Sequence, residues 1–336
     1  MLIANLGTPS SPRTGDVRRY LREFLSDPRV LDIARLPRWL LVNAVIAPFR
    51  APRSAAAYRK IWSERGSPLL ANGRDLRDAL ATALGPEFEV ALGMRYAEPS
   101  LARALDELLQ HDLARIVFVP LFPQYASSST GSALERLHTL VAERWNVPAL
   151  TALSEFFDEP GFVAALAEIA SPRLAAFRPD HVLFSYHGLP ERQVRKSDPT
   201  GRHCLASAGC CDSVLVANRH CYRAQCHATS RALAAALRLS VGSYSTSFQS
   251  RLGRTPWITP HTDTLLPELA RAGAKRLAVL CPSFVADCLE TLEEIGLRGA
   301  EQWRSLGGES LELVACANAH PAFVRFLAKR VRSAAS

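Results

Sequence analysis

The chain has 336 residues, is 48% hydrophobic and 21% charged, and carries a net charge of +8. That length buries a sizeable core and favours two domains over one, and those fractions are those of an ordinary globular protein rather than a disordered one. No apolar run approaches the roughly 18–20 residues that cross a bilayer.

Met1-Leu-Ile-Ala-Asn-Leu-Gly reads as a first strand without the basic opening of a signal peptide, so a cytoplasmic location is expected. The positive charge comes almost entirely from arginine. The arginines are dispersed, with no basic stripe interleaved with aromatics, which argues against nucleic acid. Arginine instead suits the carboxylates of an acidic small molecule or an anionic lipid.

Strand and helix patterns alternate along the chain, the grammar of parallel sheets. Strands are expected at Leu2–Leu6, Glu89–Leu92, Arg115–Val119, Val182–Phe184, Leu239–Tyr244, Arg276–Leu280 and Leu311–Val314. Helices are expected at Asp16–Leu25, Arg74–Ala83, Ser100–Gln110, Gly131–Arg144, Gly161–Ala170, Cys226–Leu237, Thr264–Ala272, Asp287–Gly296 and Pro321–Val331.

A faint repeat relates Ser100–Pro123 to Thr262–Pro282: in each, a helix feeds a buried strand that proline stops. The expected fold is α/β, with two Rossmann-like, doubly wound parallel-sheet halves and a cleft between them. The domains are residues 1–150 and 151–336, with the boundary near Ala149–Ser154.

Residues 36–50, Leu-Pro-Arg-Trp-Leu-Leu-Val-Asn-Ala-Val-Ile-Ala-Pro-Phe-Arg, are too short to span a membrane. They are either a buried helix or an exposed lip for a greasy ligand or a membrane surface. Arg35, Arg38, Arg50 and Arg53 flank them, which suits anionic lipid or propionate groups.

Two segments place chemistry at the end of a parallel strand, the edge where open α/β sheets hold ligands. His181-Val-Leu-Phe-Ser-Tyr-His187 stops at Gly188 and Pro190. Leu277–Leu280 stops at Cys281-Pro282-Ser283, and Asp287, Glu290 and Glu294 follow at i, i+3 and i+7, one face of a helix. A histidine facing a line of carboxylates makes a site for protons or a metal. Asp287 serves that line or caps its helix.

All 8 cysteines lie at or beyond Cys204, and Cys204, Cys210, Cys211, Cys221 and Cys226 crowd together. In a chain without a secretion signal this suggests a metal centre more than disulfides. The thiols suit an iron–sulfur cluster or zinc. Cys281 and Cys316 read as small buried hydrophobes.

The chain resembles the ferrochelatases over nearly its whole length. The resemblance rests on Asn5-Leu6-Gly7-Thr8-Pro9, Tyr58-Arg59-Lys60-Ile61, Met94-Arg95-Tyr96 and Pro123-Gln124-Tyr125. It continues with Ser128-Ser129-Thr130-Gly131-Ser132, Ser185-Tyr186-His187-Gly188-Leu189-Pro190 and Phe248-Gln249-Ser250-Arg251. Trp257-Ile258-Thr259-Pro260-His261-Thr262-Asp263 and Pro282-Ser283-Phe284-Val285-Ala286-Asp287 leading to Glu290 complete it.

The resemblance implies a chelatase-like fold and insertion of ferrous iron into protoporphyrin IX, with coproporphyrin, or a cobalt or nickel chelatase, as alternatives. It implies His187, Glu290 and Glu294 as catalytic residues, with His187 and Glu290 meeting the iron. It implies Arg50, Arg53, Tyr58, Arg95, Tyr96 and Trp257 as porphyrin contacts, and residues 36–50 as a lip that can rest on a membrane. Because some relatives carry a [2Fe–2S] cluster, it also implies that four of Cys204, Cys210, Cys211, Cys221 and Cys226 bind one here. The layout differs from one such group, since Ser127 stands where an upstream cysteine ligand would be.

Cys226 matches a helix cysteine of relatives without the insertion, which marks it as spare. The adjacency of Cys210 and Cys211 argues the other way. Cys288 stands where many relatives carry histidine. Competing classes are a two-lobed haem- or iron-binding protein and a redox protein built on the cysteines.

Overall fold

The computed structural model describes residues 1–251, 253 and 255–335. Its strands form two four-stranded parallel sheets. The first contains β1 (Leu2–Gly7), β2 (Ala91–Tyr96), β3 (Ile116–Pro120) and β4 (Leu150–Ala152) in the order β2-β1-β3-β4. The second contains β5 (His181–His187), β6 (Tyr244–Gln249), β7 (Arg276–Leu280) and β8 (Ser310–Leu313) in the order β6-β5-β7-β8. The two orders are the same. In each, the chain steps to one side of its first strand and then returns to the other, the reversal of a doubly wound sheet.

Each sheet sits in its own compact unit. Met1–Phe122, Ser127–Glu155 and the chain from Val324 onward form the first; Pro123–Ala126 and Phe156–Phe323 form the second. The expected second domain, 151–336, therefore loses its C-terminal segment to the first unit. There Arg332 Nη2 donates to the carbonyl oxygen of Ala83 at 2.9 Å. Ser336 lies outside the described residues.

The strands that read most clearly in the sequence are buried on both faces, which removes polar alternation. In the first unit Leu2, Ala4, Ile116 and Phe118 pack against Leu101, Leu105 and Leu137 of the flanking helices. In the second, Leu183, Leu277 and Val279 meet Leu266, Ile295 and Trp303.

Three expectations need correction, and one of the two readings of residues 36–50 falls away. The strand expected at Leu239–Tyr244 is instead Tyr244–Gln249. This is a polar edge strand, Tyr-Ser-Thr-Ser-Phe-Gln, whose hydroxyls bond neighbours such as His181 and Thr262, while Val241 is exposed. The strand expected at Glu89–Leu92 begins at Ala91 and runs to Tyr96, because it pairs with β1 from Leu2↔Ala91 to Gly7↔Tyr96.

The helix expected at Asp287–Gly296 is a π-helix, Glu290–Gly299, which leaves Asp287 outside it. Residues 36–50 are not a buried helix. They belong to a run of helices, Arg35–Leu40, the π-helix Leu41–Ile46 and Ala47–Ile61, and Leu36, Trp39, Leu40, Val45 and Phe49 are exposed.

Gly7 closes β1 at φ +124°, where a Cβ would stand 2.0 Å from the carbonyl oxygen of Tyr96. Gly7→Ala should cost at least about 1–3 kcal/mol and lower the thermal midpoint. Gly15→Ala, whose added methyl meets nothing within 4 Å, should not. Equal midpoints for the two variants would contradict the packing described at Gly7.

Candidate active site

β5 delivers His187 to the C-terminal edge of the second sheet, and hydrogen bonds fix it there. Its backbone N–H donates to Ser283 Oγ at 3.1 Å, and the next N–H, of Gly188, donates to the carbonyl oxygen of Gln249 at 2.7 Å. His187 Nδ1 lies 2.6 Å from the carbonyl oxygen of Gly188. A carbonyl only accepts, so Nδ1 carries a proton, and in the neutral ring the lone pair is on Nε2. This is the tautomer of a general base.

Gly188 also seats an aromatic wall. A Cβ there would come within 2.9 Å of Gln249 O and 3.2 Å of Trp257 Cε3. The half-buried Trp257 ring thus covers the backbone immediately after His187, and the Phe284 ring lies 6.3 Å from the imidazole.

The acidic line divides into different roles. Glu290 and Glu294 lie four residues apart on the π-helix, whose wider turn brings such positions to nearly the same side. Gln249 Nε2 donates to the carbonyl oxygen of Glu290 at 2.8 Å and so ties that helix to β6. The carboxylate of Glu294 accepts from the N–H of Ser250 at 2.9 Å and from Ser250 Oγ at 2.5 Å.

Burial pushes the Glu294 carboxyl above the usual range. The Glu290 charge adds to that, while Ser250, His187 and Arg298 oppose it. Asp287 is taken out of the line: its oxygens accept from Asn318 Nδ2 at 2.7 Å, the N–H of Cys316 at 3.2 Å and Thr291 Oγ1 at 3.3 Å. Burial pushes the Cys288 thiol up, and the Glu290 charge adds to that.

In the first unit Arg95 and Tyr96 end β2 inside a polar knot. Asp27 Oδ2 accepts from Arg95 Nη2 at 2.7 Å, the Tyr96 hydroxyl at 2.8 Å and Ser132 Oγ at 2.6 Å. Tyr96 is only 1% exposed, so its ring is core rather than an open contact surface. Burial, joined by the Asp27 charge, drives its phenol far up, which keeps the hydroxyl a donor. Burial alone would raise Asp27, but Ser132, the N–H of Arg29, Tyr96 and Arg95 together hold it below the usual carboxylate range. Sequence reasoning missed Asp27; its only local signal is a polar residue directly after an apolar helix face.

Arg50 and Arg53 are exposed on the helix Ala47–Ile61. Tyr58, on the same helix, is buried with its ring 6.0 Å from that of Trp62.

The cysteine-rich loop is internally organised. Asp198 receives the N–H groups of Cys204 at 2.8 Å, His203 at 2.7 Å and Thr200 at 2.8 Å, which hold its carboxyl well below the usual range. Asn218 Nδ2 donates to the carbonyl oxygens of Cys210 and Ser213, each at 2.9 Å.

All five thiols are buried. Cys210 and Cys211 Sγ stand 3.7 Å apart, and Cys221 lies near Cys204 and Cys211. Cys226, by contrast, lies within the helix Tyr222–Ala236, where burial pushes its thiol up. Among the described residues no group of three or more His, Cys, Asp or Glu side chains stands ready-made in metal-ligand geometry. No helix of the described residues is long and apolar enough to cross a membrane.

In fold, the chain matches the structure of SirB from Bacillus subtilis with Fe3+ at a TM-score of 0.53, over 81% of this chain and 93% of that one, with 13% identity. The chain thus shares the fold of that protein. In sequence, the ferrochelatase family profile matches residues 1–335. The ferrochelatase of Coxiella burnetii (strain Dugway 5J108-111) is 47% identical over 332 residues, 99% of this chain and 92% of that protein. The ferrochelatase of Legionella pneumophila (strain Corby) is 47% identical over 325 residues, 97% of this chain and 96% of that protein. The chain belongs to the ferrochelatase family, enzymes that insert a metal into a porphyrin.

The depressed Asp27 carboxyl stabilises the fold above its ordinary pKa of about 3.9, and that stability is lost as pH falls through the lower folded value. Asp27→Asn should therefore lose about 3–5 kcal/mol at pH 7, because Arg95 is left without its charge partner. The deficit should shrink towards pH 2. Denaturant unfolding at the two pH values checks this; a deficit independent of pH would contradict it.

Proposed function

We propose that the protein inserts Fe2+ into protoporphyrin IX as the last step of haem synthesis. The observation that carries this reading is the contact of His187 Nδ1 with the Gly188 carbonyl, which leaves Nε2 as the basic nitrogen of the neutral ring, at the same sheet edge as Glu290 and Glu294. Two pyrrole N–H bonds break, two protons leave, and iron stays ferrous as its bonds to nitrogen form. His187 Nε2 takes protons from the ring, since a neutral imidazole works as a base near neutral pH. Glu294, whose carboxyl is shifted upward, holds a proton more readily than an ordinary carboxylate and passes it outward. Before transfer, Glu290 and His187 Nε2 hold the iron, because ferrous ion accepts mixed nitrogen and oxygen ligands; as the iron passes to the ring nitrogens, the Nε2 lone pair is released to take a pyrrole proton.

Trp257 walls the ring, and Arg50 and Arg53 take the propionates, with Tyr58 bracing their helix. Arg95 and Tyr96 act from within the Asp27 knot, holding the end of β2 in place. Exposed Leu36, Trp39, Leu40, Val45 and Phe49 support protoporphyrin over the more carboxylated coproporphyrin. They also support peripheral rest on a membrane by a cytoplasmic enzyme, with the flanking arginines near anionic headgroups.

We further propose that Cys204, Cys210, Cys211 and Cys221 hold a [2Fe–2S] cluster and that Cys226 is spare. This reading is supported by the number of thiols, their burial and the 3.7 Å separation of Cys210 and Cys211 Sγ. Arg223 Nη1 already donates to Cys211 Sγ at 3.2 Å, a favourable neighbour for a thiolate. Bound there, the cluster cross-links the loop and adds a one-electron centre.

Anaerobic iron insertion should fall at least about a hundredfold in His187→Ala, with protoporphyrin binding retained in a fluorescence titration. Wild type that metallates neither protoporphyrin nor coproporphyrin would overturn the reading. Visible bands of the purified protein that bleach with dithionite should vanish in Cys221→Ser and persist in Cys226→Ser. The reverse pattern would overturn the ligand set.

A further inference from the structure

We infer that Thr262 is a positioning residue: it joins a buried hydroxyl chain that holds the backbone at His187 and the start of the acidic π-helix in one arrangement. The pairing of β5 with β6 sets Ser185 opposite Ser247 and His187 opposite Gln249. Alternation along a strand then puts all four side chains on one face of the sheet. Thr262, the first residue of the helix Thr262–Arg271, meets that face at both serines. The backbone just before the helix is tied to the same strand, since the N–H of Phe248 donates to the carbonyl oxygen of Pro260 at 2.8 Å.

The side chains join in sequence. Thr262 Oγ1 lies 2.8 Å from Ser247 Oγ and 2.9 Å from Ser185 Oγ. Ser185 Oγ lies 2.6 Å from Gln249 Oε1, and Gln249 Nε2 lies 2.8 Å from the carbonyl oxygen of Glu290, the first residue of the π-helix.

Proton counting gives this chain one direction. The Glu290 carbonyl only accepts, so the amide nitrogen of Gln249 faces it and Oε1 faces Ser185. Oε1 also only accepts, so the single Ser185 hydroxyl proton goes there. Ser185 must then accept from Thr262, and Thr262, its own proton spent, accepts from Ser247. Four hydrogen bonds run in one sense from Ser247 to the π-helix, and bonds aligned in this way strengthen one another. Ser185, Ser247, Gln249 and Thr262 are all buried, so a partner removed from the chain is costly to replace.

The chain matters because Gln249 also ties the histidine strand: its own carbonyl oxygen accepts from the N–H of Gly188 at 2.7 Å. Its side chain thus fixes the π-helix while its backbone fixes the residue after His187. Without the Thr262 hydroxyl, Ser247 loses its acceptor and Ser185 its donor, and the Gln249 amide loses the support that aims Nε2 at Glu290. Thr262 contacts no reacting atom; it acts through Gln249, and its effect on catalysis rests on the iron-handling role proposed for His187 and Glu290.

Thr262→Val removes the hydroxyl at nearly constant shape, and Thr262→Ser keeps it; circular dichroism checks the fold of each. In anaerobic iron insertion Thr262→Val should lower kcat about 10–100-fold, the usual cost of removing a partner that orients a metal-site group, with the KM for protoporphyrin unchanged. Thr262→Ser should restore kcat. Ser247→Ala, at the head of the chain, should cost less than Thr262→Val, because the three bonds beyond it remain. Hydrogen exchange read by mass spectrometry needs no activity: in Thr262→Val the peptides carrying Gly188 and Glu290–Glu294 should exchange faster, while those of β3 and β7 keep wild-type rates. Wild-type kcat and exchange in Thr262→Val would overturn the role, as would a change in KM alone, faster exchange in every peptide or no rescue by serine. If Thr262→Val does not fold, Ser185→Ala carries the same expectations and the same contradictions. Wild type that metallates no porphyrin would remove the catalytic reading of His187, and exchange in the variants would still decide whether Thr262 links Gly188 to the π-helix.

Discussion

One buried glutamine holds the sheet edge at His187 together. Gln249 Oε1 accepts from Ser185 Oγ at 2.6 Å, its Nε2 donates to the carbonyl oxygen of Glu290 at 2.8 Å, and its own carbonyl oxygen accepts from the N–H of Gly188 at 2.7 Å. The histidine strand, the polar edge strand and the acidic π-helix therefore meet at a single residue. Each bond contributes about 1 kcal/mol net, but leaving a buried partner unsatisfied costs about 1–3 kcal/mol. The geometry of His187 and the acids is over-determined for that reason, and at position 188 only glycine leaves room for both the Gln249 carbonyl and the Trp257 ring.

Around that edge the polar groups divide their labour. His187 spends Nδ1 on a backbone carbonyl and leaves Nε2 available. Glu294 is braced by Ser250, whose positive φ of 67° aims both its N–H and its hydroxyl at the carboxylate, and burial raises the proton affinity of that carboxylate. Asp287, similar in sequence position, is consumed by the segment around Asn318 and serves structure. In the first unit the Asp27 knot does comparable work, holding the end of β2 through Arg95 and Tyr96.

The parts of this arrangement that were legible in the sequence share a cause. β1, β3, β5 and β7 are buried on both faces, so their residues form continuous apolar runs, and a histidine ending such a run stands out. The acids stood out by helical spacing, although the helix is a π-helix, a difference of backbone bonding that side-chain periodicity barely registers. β6 was misplaced because an edge strand stabilised by hydroxyl pairs lacks an apolar signature. The fate of Asp287 was hidden because its partner Asn318 lies 31 residues away. The burial of Tyr96 and the role of Asp27 depend on contacts 69 residues apart. Composition gave residues 36–50 two readings, and only the packing separates them, by leaving Trp39 and Phe49 outside.

The central claim is that His187 and the carboxylates of the π-helix form one iron-handling site. Anomalous diffraction at the iron edge, from crystals soaked anaerobically with Fe2+, tests it most directly. The account predicts a peak bonded to His187 Nε2 and the carboxylate of Glu290. Iron found elsewhere, with both of those groups unliganded, would contradict it.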